Sequence, residues 1–241
     1  MTLCAEGGTM CDPLKENSRL LCRVGRLAYQ KGYVASNDGN ISVRLPDKSI
    51  LITPSGVSKG RMLPGQMVNL RPENGGYIVS GTGPSSETEM HKALYEADPT
   101  IGAVIHLHAP RAVCFSARGP GARWPALCAD IILQVGYIPV VPYLPLGSRE
   151  LAQAVALHAN TSCAVLLQNH GLTAWGKDLW QAFDRAEAVE HYFRVLALYE
   201  QAGSAGKLLC PEELSALDAL RLAQGESRGK GPWATAAGVR P

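Results

Sequence analysis

Val104-Ile105-His106-Leu107-His108-Ala109-Pro110 decides how this chain is read. An apolar run ends in two histidines one residue apart. In a β-strand, residues i and i+2 face the same side, so both imidazoles can lean toward one point. Histidine is the commonest metal ligand, and imidazole nitrogens bind zinc at about 2.0–2.1 Å. The pair therefore reads as half of a metal site at a strand end, and two other stretches offer the rest. Upstream lies Pro84-Ser85-Ser86-Glu87, and downstream Gln168-Asn169-His170-Gly171, itself at the end of the apolar run Cys163–Gln168.

Around these stretches the chain alternates between strand and helix patterns. Glu16–Lys31 has apolar residues at helical spacing before Gly32. Ile41–Leu45 and Ser49–Thr53 form a hairpin about Pro46-Asp47-Lys48. Two short strands, Met67–Leu70 and Tyr77–Val79, flank a Gly-rich turn. Ser86 followed by Glu89 predicts a capping box for a helix running to Glu96. Pro110–Arg118 reads as a short helix, and Ile131–Val135 and Ile138–Val141 as strands around Gly136. Ser148 caps a helix over Glu150–Leu157, and Leu172–Trp175 turns back as a strand. Helices follow over Leu179–Gln201 and Pro211–Gln224. Residues 1–14 and 225–241 read as flexible tails around a single domain over 15–224. This succession predicts one α/β domain with a mixed, mostly antiparallel sheet covered by helices.

Composition narrows the function. The 241 residues are 46% hydrophobic and 18% charged, enough for one sizeable core. A net charge of +2 with no Lys/Arg-rich run gives no nucleic-acid footprint. No apolar run reaches membrane-spanning length. Met1–Cys11 lacks the basic and apolar regions of a signal peptide, so the expected location is cytoplasmic. Seven cysteines without a C-x-x-C pair argue against a disulfide framework or a cysteine zinc knuckle.

Glu87 is the candidate acid/base. A carboxylate early in a helix is favoured by the macrodipole and needs no further purpose. Its setting among Gly81, Gly83, Ser85 and Ser86, however, is that of an anion cradle, with backbone N–H groups and hydroxyls exposed before a helix. Thr53-Pro54-Ser55-Gly56 and Gly39-Asn40 offer further donors. His91, four residues after Glu87, reads as structural, and Glu187 and Glu190 as a solvated or subunit-contacting helix face.

Four pieces of this chain together resemble the class II aldolase/adducin family. They are Gly39-Asn40-Ile41-Ser42-Val43-Arg44, Thr53-Pro54-Ser55-Gly56, Pro84–Glu87 with His106-Leu107-His108, and Asn169-His170-Gly171, in the family's order and spacing. The similarity covers roughly residues 15–200 and lies nearest the L-fuculose-phosphate aldolase branch. It implies a three-layer α/β/α fold and a homotetramer with active sites at subunit interfaces. It implies a divalent metal on His106, His108 and His170, most often Zn2+, with Mn2+ or Co2+ as alternatives. Glu87 would be the acid/base, and a fourth ligand when substrate is absent. Gly39, Asn40, Ser55, Gly56, Ser85 and Ser86 would bind the phosphate of a sugar phosphate. The implied reaction is cleavage of a phosphorylated ketose, such as L-fuculose 1-phosphate, to dihydroxyacetone phosphate and an aldehyde. Sibling epimerases, dehydratases and decarboxylases share the site, and adducin-like members bind without catalysis. An epimerase branch carries Asp where this chain has Glu87. The chain departs from the aldolases in one respect. Trp124–Asp130, the segment matching one that carries a catalytic tyrosine, has none, and neither has the chain after Glu200. Tyr137 or a water is then the candidate proton donor to the leaving aldehyde.

Overall fold

The computed structural model describes residues 12–73, 76–81 and 83–235. Its elements are α1 (Pro13–Gln30), β1 (Asn40–Arg44), β2 (Ile50–Ile52), β3 (Val68–Glu73), β4 (Gly76–Ser80), α2 (Thr88–Ala97), β5 (Ala103–Leu107), α3 (Pro110–Ser116), α4 (Ala129–Gln134), β6 (Val140–Val141), α5 (Arg149–Ala156), β7 (Ala164–Leu167), β8 (Gly171–Gly176), α6 (Leu179–Gln201) and α7 (Pro211–Ala223).

The strands form one eight-stranded sheet in the order β4-β3-β2-β1-β5-β8-β7-β6. Every neighbouring pair is antiparallel except β6–β7. The central strands are buried on both faces, which is why they read as continuous apolar runs. Alternation along them sorts two cores. Ile41, Val43, Ile105, Leu107 and Leu172 pack with α1, α3 and α6. Ile50, Ile52, Val104, Val165 and Trp175 pack with Met90 and Leu94 of α2 and Leu151 and Val155 of α5. The three-layer α/β/α arrangement expected from the sequence is thus present.

The departures have local causes. Residues 129–134 are helical rather than extended: Ile131 and Ile132 are buried, and a short apolar run does not by itself distinguish a strand from a buried helix. Glu190 is not on a solvated face. It is 4% exposed, and its carboxylate accepts hydrogen bonds from the backbone N–H groups of Arg111 (3.1 Å) and Ala112 (2.9 Å), closing the N-terminus of α3. Glu187 instead pairs with Lys31 at 2.6 Å. Residues 225–235 are packed onto the body where a flexible tail was expected. The Gly229 carbonyl accepts from Tyr137 N, Ala234 bridges Pro125, and Trp233 stands edge-on to Tyr137 and Tyr192. At the other end, Asp12 caps α1 by accepting from Leu14 N, so order begins before residue 15. Residues 1–11 and 236–241 of the two expected tails lie outside the described residues.

Candidate metal centre and its cavity

The site forms where the middle of the sheet meets the N-terminus of α2. In the ladder, Asn40 of β1 stands opposite His106 of β5, and Thr173 of β8 stands opposite His106 on the other side. His108 follows the end of β5. His170 sits in the β7–β8 turn, whose Asn169 has φ 56°. Two glycines permit this crowding. A Cβ on Gly171 would lie 2.5 Å from the Leu107 carbonyl oxygen and 3.2–3.3 Å from the rings of His108 and His106. A Cβ on Gly39, at φ 71°, would lie 2.7 Å from the His106 carbonyl oxygen.

The expected ligands converge. The ring centroids of His106, His108 and His170 are 4.7–5.0 Å apart. His106 Nε2 is 3.1 Å from His108 Nε2 and 3.2 Å from Glu87 Oε2, and His170 Nε2 is 3.5 Å from Glu87 Oε1. One ligand atom from each of the four residues lies within 4.8 Å of the others. His106 Nδ1 meets the Leu172 carbonyl at 3.0 Å, so it carries the proton and Nε2 presents a lone pair to the centre. Burial pushes the His106 and His170 pKa values down, the former well below the ordinary range, so both imidazoles are held in the neutral form that binds metal. Glu87 Oε1 is buried without a hydrogen-bond partner. Three imidazoles and one carboxylate, whose Oε1 has no hydrogen-bond partner, fit a divalent cation of the zinc, manganese or cobalt type.

Beside this cluster is a cavity of about 180 Å3. Every residue expected to touch a phosphate lines it: Gly39, Asn40, Ser55, Gly56, Ser85 and Ser86, along with Glu87, His108 and His170. The loops are tied together by the Ser55 N–H on the Gly83 carbonyl and a Pro54–Pro84 bridge. The predicted capping box is not formed. Glu87 itself is the N-cap of α2 without a side-chain cap bond, and Glu89 pairs with Lys92. Ser85 does the local work instead, its Oγ accepting from Glu87 N and its carbonyl from Thr88 Oγ1. The Asn40 side chain is engaged inside the protein, donating from Nδ2 to Glu87 Oε2 at 2.8 Å and meeting His91 through Oδ1.

Lys59 also lines the cavity and was not singled out from the sequence. It is 2% exposed and donates to the carbonyls of Asn37 (3.1 Å) and Val57 (2.8 Å). Burial lowers its pKa to about 8. The available signal was a lone lysine in the Gly/Ser-rich loop after Thr53-Pro54-Ser55-Gly56. Tyr137, the expected alternative donor, gives its hydroxyl to the Ala122 carbonyl and does not line the cavity.

Residues 19–197 match the family described as the class II aldolase and adducin N-terminal domain. The chain belongs to that family. It is 34% identical over 174 residues to the 3-oxo-tetronate 4-phosphate decarboxylase of Haemophilus influenzae, covering 71% of this chain and 82% of that one. It is also 34% identical over 168 residues to the L-fuculose phosphate aldolase of Methanococcus maripaludis, covering 70% and 89%. Among solved structures, the YgbL protein of Escherichia coli superposes with a TM-score of 0.79 at 27% identity, covering 86% of this chain and 99% of that one. Enzymes of this superfamily use a divalent metal and act on phosphorylated sugars. The aldolase branch expected from the sequence is therefore matched, and so is the decarboxylase alternative. Among the described residues, no helix is long and apolar enough to cross a membrane.

Proposed function

We propose that the chain is a metal-dependent carbon–carbon lyase acting on a phosphorylated sugar acid, and that it releases CO2. The observation that carries this reading is the proton inventory of the cavity. Retro-aldol cleavage moves two protons: one leaves a hydroxyl as the aldehyde forms, and one is gained by the resulting carbanion. Decarboxylation of a 3-oxo acid requires only the second. Among the described residues no tyrosine lines the cavity, and its other titratable groups are engaged, Asp38 beside His108 at 3.7 Å and Lys59 on the Asn37 and Val57 carbonyls, whereas Glu87 stands among the three imidazoles.

His106, His108 and His170, with Glu87 while no substrate is present, would hold the metal, and Zn2+ is the expected ion. When bound, the metal supplies Lewis-acid stabilisation of negative charge on the substrate's oxygens. The chain's own groups supply the rest. Gly39, Asn40, Ser55, Gly56, Ser85 and Ser86 hold the terminal phosphate and fix the substrate's orientation. Lys59 adds a positive charge to the cavity wall. As the bond between C1 and C2 breaks, its electron pair remains on C2, conjugated with the C3 carbonyl, and C1 leaves as CO2. Glu87, which takes up a proton from water once substrate has entered, then passes that proton to C2. A four-carbon 3-oxo acid 4-phosphate would give dihydroxyacetone phosphate.

A ketose 1-phosphate cleaved by an aldolase gives the same dihydroxyacetone phosphate, so the co-product discriminates. The protein is incubated with a 3-oxo-tetronate 4-phosphate and with L-fuculose 1-phosphate, each with Zn2+ and with chelator. CO2 from the oxo acid, abolished by chelator and by Glu87→Gln, supports the reading. Aldehyde from the ketose with no CO2 from the acid replaces it with the aldolase. This reading includes a homotetramer in the cytoplasm, and a monomer by light scattering at micromolar concentration contradicts the assembly.

A further inference from the structure

Behind Glu87, away from the three metal-site histidines, lies a row of buried polar side chains that the proposed chemistry does not use. Glu87 Oε2 meets Asn40 Nδ2 at 2.8 Å, Asn40 Oδ1 meets His91 Nε2 at 2.5 Å, His91 Nδ1 meets Ser42 Oγ at 2.7 Å, and Ser42 Oγ meets the Tyr95 hydroxyl at 2.8 Å. All five residues are buried, Ser42 and His91 completely. The row crosses from β1 to α2 because the strand pleat sends Ser42 to the α2 face of the sheet, opposite Ile41 and Val43.

The protons along this row are fixed by elimination. A carboxylate only accepts, so Asn40 turns its NH2 toward Glu87. The amide oxygen only accepts, so His91 Nε2 carries a proton. A neutral imidazole has one such proton, so Nδ1 accepts from Ser42, and Ser42 Oγ accepts from Tyr95. Burial pushes the His91 pKa down to about 3, in keeping with a single-proton ring at neutral pH. Each donor thus points toward Glu87. One carboxylate oxygen is held from behind, while the other, Oε1, has no protein hydrogen bond.

We propose that His91 is a positioning residue for Glu87, acting through the Asn40 side chain. The inference rests on the reading that Glu87 is the proton carrier and metal neighbour of this site. Outer partners of this kind set the orientation of the groups they hold, and their loss costs about 10–100-fold in activity or metal affinity.

Two replacements of His91 separate the role from packing. His91→Gln can place an amide N–H near the former Nε2 and keep the bond to Asn40. His91→Asn mimics only the Nδ1 side, keeping Ser42 and losing Asn40. The readouts are kcat, KM, Co2+ affinity by titration of the visible absorption band, and thermal stability without metal, with Glu87→Gln measured alongside. The expected result is that His91→Asn lowers kcat about 10–100-fold with KM nearly unchanged and alters the Co2+ band or its affinity, while His91→Gln stays within about threefold of the parent. Parent-like kcat and Co2+ binding in a folded His91→Asn overturns the proposal, as does an equal loss in both variants that follows stability alone. Should His91→Asn fail to fold, Asn40→Ser is scored instead: a fall in kcat supports positioning, and a rise in KM at unchanged kcat overturns it. Full activity in Glu87→Gln would instead overturn the reading of Glu87 itself, whatever the His91 variants show.

Discussion

Gly171→Ala perturbs the metal centre without removing a ligand. Gly171 starts β8 directly after His170, and a Cβ there would stand 2.5 Å from the Leu107 carbonyl oxygen and 3.2 and 3.3 Å from ring carbons of His108 and His106. The first contact is with backbone, so a rotamer change cannot relieve it. Either β8 moves away from β5 or the His170 turn tilts. Inserting a methyl group into a packed interior costs about 1–3 kcal/mol. Site geometry tolerates only about 0.5 Å of displacement, so metal affinity should fall at least about tenfold. Chemical unfolding measured with chelator and with Zn2+ reads both effects. At a metal concentration 100 times the parent's dissociation constant, the ion stabilises the parent by about 2.7 kcal/mol. Tenfold weaker binding leaves about 1.4 kcal/mol of that increment. A Gly171→Ala protein with parental stability in chelator and an undiminished Zn2+ increment would refute the claim that this close approach assembles the site.

Glu190→Gln should destabilise the metal-free protein by about 1–3 kcal/mol in urea unfolding, because a buried carboxylate accepting two backbone N–H groups at the start of α3 loses its charge; parental stability would mean that α3 needs no such cap. Acid should also weaken the metal-free protein. The unfolded chain protonates His91 near pH 6.5, whereas the folded one resists until about pH 3. Stability from this group is therefore complete above about pH 6.5 and falls on acidification, by about 1.4 kcal/mol per pH unit, until pH approaches 3. Urea midpoints in chelator at pH 7, 6 and 5 should decline, less steeply in His91→Gln, and a flat profile would contradict the burial of a neutral His91.

The parts of the site legible in the sequence are those whose signal is local. His106 and His108 are two residues apart on an apolar strand, and Asn169-His170-Gly171 closes another, so spacing alone suggested where ligands would meet. The hairpin of β1 and β2 and the length of α6 also followed from periodicity and turn residues. What escaped depends on partners distant along the chain. Glu190 looks like any helix-surface acid until α3 is placed against it, 78 residues earlier. Asn40 reads as a cavity donor, and its bonds to Glu87 and His91, 47 and 51 residues away, appear only in the fold. Ser86 and Glu89 have the spacing of a capping box, but the turn before α2 assigns the cap position to Glu87. Ile131-Ile132-Leu133 is apolar in either conformation, and only its packing in the core cluster with α6 decides for helix. Trp233 is the one large apolar residue of the tail-like segment 225–241, and it is the residue that packs against Tyr137 and Tyr192.

The central claim is that four side chains from three separate stretches hold one divalent ion. Calorimetric titration of the chelator-treated protein with Zn2+ at neutral pH tests it most directly, alongside His106→Ala and His170→Ala. The account predicts one ion per chain for the parent and a large loss of affinity in either variant. A folded parent that takes up no ion, or variants that bind it as the parent does, would contradict it.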